Sequence, residues 1–356
     1  MTRSLAYSLC NIAKQNNWDF SLWSLYDSRY DLMDQYVPAG NYTGFGNRRL
    51  KFGVKALKTA SKADTIILSH INLSLIGLLV KLINPKCKVW LIAHGIEVWR
   101  PLNFTKRLFL KRYCDKIVSV SHFTNKQMID LHRSDPKKCF VLNNVIDPFI
   151  KLPVKFSKPE YLLNRYSISS DTPVIFTLTR LASSEQYKGY DQVIKSVSRL
   201  KHKFPGIKYI LSGPYDLAEE KRIRELINLY QVNDHVILTG FLIESELADH
   251  FLLADLFVLP SKKEGFGIVF VEALACGLPV ICGNADGSID AIRNGELGTA
   301  INVDDLDELE KTISKHFESP PALNTRQTLQ QESLHYFNEQ AYRNNLKKLM
   351  TNEPVY

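Results

Sequence analysis

The stretch Lys262–Ile281, KKEGFGIVFVEALACGLPVI, decides how this chain is read. It follows DLFVLP, a short apolar run of the kind that forms a buried parallel strand. It then joins two glycines to an apolar helical run carrying two acids, Glu264 and Glu272, eight positions apart. A core helix needs neither carboxylate. Gly265 and Gly267 leave room for close approach at a strand-to-helix turn, with the helix expected to start near Phe266. A helix start offers unpaired N–H groups and about half a positive charge, which suits a phosphate. Eight helical residues span at most ~12 Å, enough to address two hydroxyl-bearing rings on either side of a diphosphate. Each carboxylate is suited to holding a pair of sugar hydroxyls. Either acid alone reads as a dipole partner or a surface glutamate. The two together, in this frame, read as a ligand site.

Outward from this stretch, short β-rich runs alternate with helical patterns, the signature of parallel α/β architecture. Strands are expected at DFSLWSL, DTIILSH, KVWLIA, KIVSV and CFVLN in the first half. In the second half they are expected at PVIFTLT, IKYILSG, HVILTG, DLFVLP, LPVICG and TAINV. The segment DPFIKLPVKFSKPE, with Pro148, Pro153 and Pro159, reads as a linker. Two Rossmann-like domains facing a cleft follow, residues 1–150 and 151–324. Ligands in such sheets bind beyond the carboxyl ends of the strands. From about Thr325 to Met350 runs one helical pattern with an apolar face of Leu334, Phe337, Tyr342, Leu346 and Leu349. This tail, residues 325–356, is expected to pack back toward the first domain.

With 356 residues, 45% of them hydrophobic and 23% charged, the composition is that of a soluble globular protein with two ordinary domains. The most apolar stretch, TIILSHINLSLIGLLVKLI, is broken by His70, Asn72 and Lys81 and reads as a strand and a short helix. The opening MTRSLAYSLCNIAKQ lacks a signal-peptide pattern. Six scattered cysteines form no CxxC pair, which favours buried thiols in a reducing cytosol. The net charge of +8 is uneven: residues 1–150 hold 22 Lys+Arg against 10 Asp+Glu, the remainder 23 against 27. A basic first half points to an anionic partner there, whether membrane surface, phosphorylated acceptor or nucleic acid.

EGFGIVFVEALACGLPVI resembles the E-x7-E signature of the retaining family 4 glycosyltransferases, which have the GT-B fold. LTRLASSEQYKGYD is similar to that family's strand-end Arg and following Lys-Gly, and AHGIEVW to its His-Gly loop. VSVSHFTNKQM and VLNNVID resemble the segments that close its first domain. The resemblance runs in order along almost the whole chain. It implies that Arg180 and Lys188 hold a donor diphosphate, a sound use of paired cations as charge builds on a leaving group. It implies that Glu264 binds the donor sugar, with the backbone of Gly265, Phe266, Gly267 and Ile268 beside sugar and phosphate. Glu272 would take the ribose, and His94 the donor sugar from the opposite domain. Ser212–Pro214, containing Gly213, and Thr239–Ser245 would flank the nucleotide. It implies no metal and no cofactor; DDLD at 304–307 reads instead as an acidic helix start. The activity implied is transfer of a hexose-type sugar from a nucleoside-diphosphate sugar, with retention, to a glycan or lipid-linked acceptor in surface-polysaccharide or glycolipid synthesis.

Two stretches of the first half are basic and amphipathic. RRLKFGVKALKTASK sets Lys51, Lys55, Lys58 and Lys62 beside Leu50, Val54 and Leu57, and NFTKRLFLKRY mixes Lys106, Arg107, Lys111 and Arg112 with aromatic residues. Each reads either as a helix with its apolar stripe in the core or as one lying on anionic lipid. The second alternative fits a cytoplasmic protein peripheral on the inner face of a membrane. Nucleic acid is set aside because no reading motif accompanies the charge. The chain also departs from the family pattern. It opens inside what resembles the first helix, without the preceding strand and glycine-rich loop, and Val145 stands where a Gly is common. Loss of such a strand is expected to leave its neighbours unpaired. That supports a competing reading: a truncated, catalytically impaired GT-B protein that binds nucleotide or a partner without transfer. A third reading, a nucleotide-sugar epimerase, predicts donor conversion without any acceptor.

Overall fold

The computed structural model describes residues 2–320 and 322–351, and these fall into two compact units. One holds the residues up to Pro148 together with those from Phe337 on; the other is Phe149–Tyr336.

The first unit begins with helix α1 (Thr2–Asn16) and continues through β1 (Leu22–Ser24), β2 (Tyr42–Gly44), α2 (Arg49–Ala60), β3 (Thr65–Leu68) and α3 (Ser74–Ile83). Then come β4 (Lys88–Ala93), α4 (Phe104–Leu108) running into a π-helical turn, β5 (Lys116–Ser119), α5 (His122–Asp130) and β6 (Cys139–Val141). Its strands form two separate parallel sheets, one ordered β3-β4-β5-β6 and the other only β1-β2. β2 lies outside every strand expected from the sequence. The larger sheet is built round β4, whose Val89, Trp90, Leu91, Ile92 and Ala93 are all buried, as suits a parallel strand covered on both faces. α4 and α5 start on side-chain caps: Asn103 accepts from the Lys106 N–H and Ser121 from the Thr124 N–H.

The second unit runs α6 (Glu160–Tyr166), β7 (Val174–Leu178), α7 (Tyr190–Leu200), β8 (Lys208–Ser212), α8 (Leu217–Leu229), β9 (Val236–Gly240) and α9 (Leu247–Leu253). It continues with β10 (Leu256–Leu259), α10 (Ile268–Ala275), β11 (Val280–Gly283), α11 (Ser288–Ala291), β12 (Thr299–Ile301), α12 (Leu306–Glu318) and α13 (Leu323–Tyr336). All six strands join one parallel sheet, ordered β12-β11-β10-β7-β8-β9. β10 and β11 are buried along their whole length. The α7 face is packed by Tyr190, Val193, Ile194 and Val197, all fully buried against Tyr209 and Leu211 of β8 and Val258 of β10. On the other face Phe176, Phe251, Phe257 and Phe270 stack edge to face.

The tail is two helices, not the single one expected. α13 belongs to the second unit, while α14 (Glu339–Thr351) belongs to the first. The break lies at Asn338, whose side-chain oxygen accepts the Ala341 N–H at 2.8 Å and so starts a new helix. α13 is fixed by buried Arg326, which donates to the Gly277 carbonyl at 3.0 Å. α14 packs on α1, where the Ser8 hydroxyl donates to Glu339 at 3.0 Å.

Candidate functional site

In the second unit the chain leaves β7 toward β8 and β9 on one side, then returns at β10 and proceeds to β11 and β12 on the other. β7 and β10 are direct neighbours, with Ile175 opposite Leu256 and Phe176 opposite Phe257. The connections therefore diverge at their carboxyl ends and leave a crevice, the place where open α/β sheets bind ligands. Arg180 follows β7, and Glu264 follows β10. Topology alone brings them to that point.

Lys188 joins them. Its ammonium pairs directly with the Glu264 carboxylate, and both side chains are largely buried, at 11% and 16% exposure. The main chain holds the same two loops together, since the Lys262 N–H donates to the Tyr187 carbonyl at 2.9 Å. Gly189 sits at φ +78°, and a Cβ there would meet the Pro260 carbonyl oxygen at 2.3 Å, so Lys-Gly is what lets the β7 loop lie against the end of β10. Arg180 is more exposed and pairs with Glu185. Its charge is stabilised first by that hydrogen bond and, more weakly, by Glu264. Gly213, beyond β8, has φ +139° and would collide with the Thr179 carbonyl if it carried a Cβ, so it packs beside the Arg180 segment. The carboxyl ends of β8 and β9 also leave Tyr215, Phe241 and Ile243 exposed.

The helix start differs from expectation. α10 begins at Ile268 rather than near Phe266, with Gly265, Phe266 and Gly267 in the turn before it. Glu264 is therefore a loop residue and only Glu272 is helical, so the two acids are not spaced along one helix axis. The Phe266 ring is buried.

Asp286 is the residue that sequence reasoning missed. It lies in the turn after β11 and is only 2% exposed. Its carboxylate accepts the Glu264 N–H at 2.6 Å and the Ser288 N–H at 2.9 Å. The Gly287 N–H returns a bond to the Glu264 carbonyl at 2.9 Å. Burial pushes the Asp286 carboxyl up to about 7, against the pull of these hydrogen bonds. The available signal was Asp-Gly-Ser three residues past a buried strand, a pattern that forms local side-chain-to-backbone turns.

His94 belongs to the first unit, immediately after β4. Its backbone N–H donates to Glu97 at 2.6 Å, which gives Glu97 a structural role as the cap of that turn. Burial lowers the imidazole pKa below its ordinary value, and the Glu97 charge opposes this only in part, so the ring is neutral near pH 7. In the acidic run at 304–307, Asp305 caps α12 and Asp304 pairs with Lys262. Among the described residues no group of three His, Cys, Asp or Glu side chains could hold a metal ion.

This arrangement, a Lys–Glu pair and an exposed Arg at the head of a short helix, suits an anion flanked by hydroxyl groups. A GDP-mannose-dependent alpha-(1-6)-phosphatidylinositol monomannoside mannosyltransferase from Mycolicibacterium smegmatis is 30% identical over 165 residues, 44% of this chain and 41% of that protein. A D-inositol 3-phosphate glycosyltransferase from Mycobacterium marinum is 27% identical over 220 residues, 61% of this chain and 45% of that protein. The chain thus matches less than half the length of these relatives. Among solved structures, Anabaena Alr3699/HepE in complex with UDP superposes with a TM-score of 0.79 at 18% identity, covering 98% of this chain and 96% of that one. The lipopolysaccharide outer core galactosyltransferase WaaB superposes at 0.70 with 16% identity, covering 98% and 95%. These likenesses give the fold, GT-B. Residues 162–343, just over half of the chain and the whole of the crevice described above, match the model of the glycosyl transferases group 1, and the chain belongs to that family.

Proposed function

We propose that the chain transfers a hexose-type sugar from a nucleoside-diphosphate sugar to a glycan or lipid-linked acceptor, with retention of configuration and without a metal. The observation that carries this reading is the Lys188–Glu264 pair set beside Arg180 where β7 and β10 diverge. In this reading Lys188, Arg180 and the start of α10 receive the diphosphate, so that Lys188 exchanges part of its pairing with Glu264 for phosphate oxygens. Glu264 then turns to the sugar hydroxyls and Glu272 to the ribose, while Gly213 and the exposed Phe241 flank the base. His94 is assigned to the sugar by the His-Gly pattern alone. The bond from the anomeric carbon to the diphosphate oxygen breaks, with its electron pair staying on that oxygen, where Arg180 and Lys188 stabilise it. The acceptor oxygen bonds to the anomeric carbon from the same face, and its proton passes to the departing phosphate oxygen. No protein nucleophile is required. The relatives named for GDP-mannose and the structures holding UDP or UDP-glucose support a nucleotide-sugar donor.

A second reading, nucleotide binding without transfer, is favoured by one observation, the division of the first unit's strands into two sheets. The deciding experiment is donor hydrolysis and transfer by the wild-type chain over uridine and guanosine nucleotide sugars, with a lipid-linked acceptor, beside Glu264→Ala and Lys188→Ala. Turnover lost in both variants is the expected result. Nucleotide binding with no wild-type turnover would favour the second reading.

A further inference from the structure

We infer that helix α2 docks the first unit onto an anionic lipid surface. The sequence offers two basic amphipathic stretches, and the structure separates them. In Asn103–Tyr113 Phe109 and Leu110 are buried in the core, at 0% and 3% exposure, which leaves Phe104, at 71%, as the one largely exposed apolar side chain. α2 is different. Its buried side is the stripe of Phe52, Ala56 and Ala60, with Phe52 edge-on to Phe45 and the helix packed beside α3. Leu50 and Val54, one turn apart, face outward at 86% and 53% exposure. They border a shallow depression whose other walls are Lys51, Lys55 and Lys58.

A single exposed leucine carries no meaning. Here two outward apolar side chains share a helix face with cations that lack countercharge. None of Arg48, Arg49, Lys51, Lys58 and Lys62 has a carboxylate partner among the described residues. Lys55 leans on Thr43 and the Trp23 ring. Over residues 35–114 the chain holds 14 Lys+Arg but only two acids, Asp64 and Glu97, and Glu97 is engaged with the His94 backbone. A protein partner for such a face would have to supply both acidic and apolar groups in one groove. An anionic leaflet presents both at once, headgroup charge at the level of the lysines and acyl chain beneath them. No described helix is long and apolar enough to cross a membrane, so the contact is one of lying on the surface.

The test is co-sedimentation of the full chain with vesicles of phosphatidylcholine alone and of equal parts phosphatidylcholine and phosphatidylglycerol. Binding is expected only to the second, and to fall as salt is raised. Leu50→Ser with Val54→Ser should weaken it about tenfold, and Lys51→Gln with Lys55→Gln and Lys58→Gln by about tenfold or more. These are surface changes, so unaltered melting temperatures confirm folding. Binding to neither vesicle, equal binding to both, or variants that bind like wild type would each overturn the inference. Release of the chain from vesicles by an RNA homopolymer at matched charge, with loss of the Leu50 and Val54 dependence, would assign the face to nucleic acid instead. The inference rests on the acceptor-side reading of this unit only for its purpose. The vesicle assay needs no turnover, so failure of the transferase reading and failure of the lipid surface give separate results.

Discussion

The second unit gathers its six strands in one sheet, with β10 and β11 buried along their whole length. The first unit also has six strands among its described residues, yet they are split into a sheet of four and a pair, and each strand of that pair is three residues long and half-buried throughout. A continuous parallel sheet fixes the ends of its strands to one another, so residues from distant loops arrive at a crevice already placed. In the second unit Lys188 and Glu264, 76 positions apart, meet in that way. In the first unit β1, β2, β3 and β6 each have only one strand neighbour, against β9 and β12 in the second, and an unpaired edge is both less constrained and more open to new partners.

The sharpest way to test this contrast is to break the placed pair. Lys188→Ala and Glu264→Ala should each lower donor hydrolysis ~100-fold or more, the cost of removing a group that meets developing charge. The double variant should lose little beyond the worse single one, because the two act as a unit. Steady-state kinetics with the preferred donor provide the measure. Additive losses would mean that the pairing is incidental.

The contrast can also be read as stability. Phe257 is fully buried between β7, α9 and α10. Phe257→Ala should cost ~3–5 kcal/mol by chemical denaturation. Leu22→Ala in half-buried β1 should cost no more than ~1 kcal/mol, in keeping with partial burial. Hydrogen exchange should show β7 and β10 protected to near the global limit and β1–β2 opening far more readily. Equal protection would remove the distinction between the two units.

Asp286 supplies a pH test of the same crevice. The groups facing it are the Glu264 and Ser288 amides, the Glu264 carboxylate and the Cys282 thiol. Its carboxyl, ordinarily near 3.8, titrates at about 7 in the folded chain. The folded state therefore takes up this proton first. The group's contribution to stability is complete below pH about 4 and is lost as pH rises through about 7, at most on the order of 1.4 kcal/mol for each pH unit separating the two values. Asp286→Asn should flatten that part of the curve of melting temperature against pH. In function the direction is opposite. Protonation turns one of the two accepting oxygens into an O–H that accepts more weakly from Glu264 or Ser288, so donor hydrolysis should fall in acid with a midpoint near 7. The Asn variant should be slower by ~10-fold and lack this limb. An unchanged profile would leave Asp286 as packing alone.

Much of the second unit was legible because a buried parallel strand is a continuous apolar run. PVIFTLT, IKYILSG, HVILTG, DLFVLP, LPVICG and TAINV each contain an observed strand. β2 was not legible: Tyr42–Gly44 lies in NYTGFGN, too short and glycine-rich to show a period. The sequence points to Lys188 and Glu264 separately, Lys188 only through the family resemblance, and their pairing appears only in the structure. For Asp286 the Asp-Gly-Ser turn is legible, but its hold on the Glu264 amide, 22 positions away, is not, because a backbone amide carries no mark in the sequence. The helix start slipped by two residues for a related reason, since Gly267 terminates the turn and Phe266 is drawn into the core.

Asn338 gives the smallest effect and the most local test. The apolar positions Leu334, Phe337, Tyr342 and Leu346 read as one helical face, yet the chain breaks between Tyr336 and Glu339. The periodic residues on either side serve different cores, and buried Phe337 lies in the break itself, where its carbonyl accepts the Ile146 N–H at 3.1 Å. A helix running through this point would lose the Asn338 cap on Ala341. Asn338→Ala should therefore destabilise the chain by ~1 kcal/mol while leaving donor hydrolysis unchanged. Asn338→Asp should recover most of that loss, because a carboxylate caps an N-terminus equally well. Denaturation midpoints of the three proteins measure it. An alanine variant as stable as wild type would show that the break is imposed by the two cores, with the cap merely accommodating it.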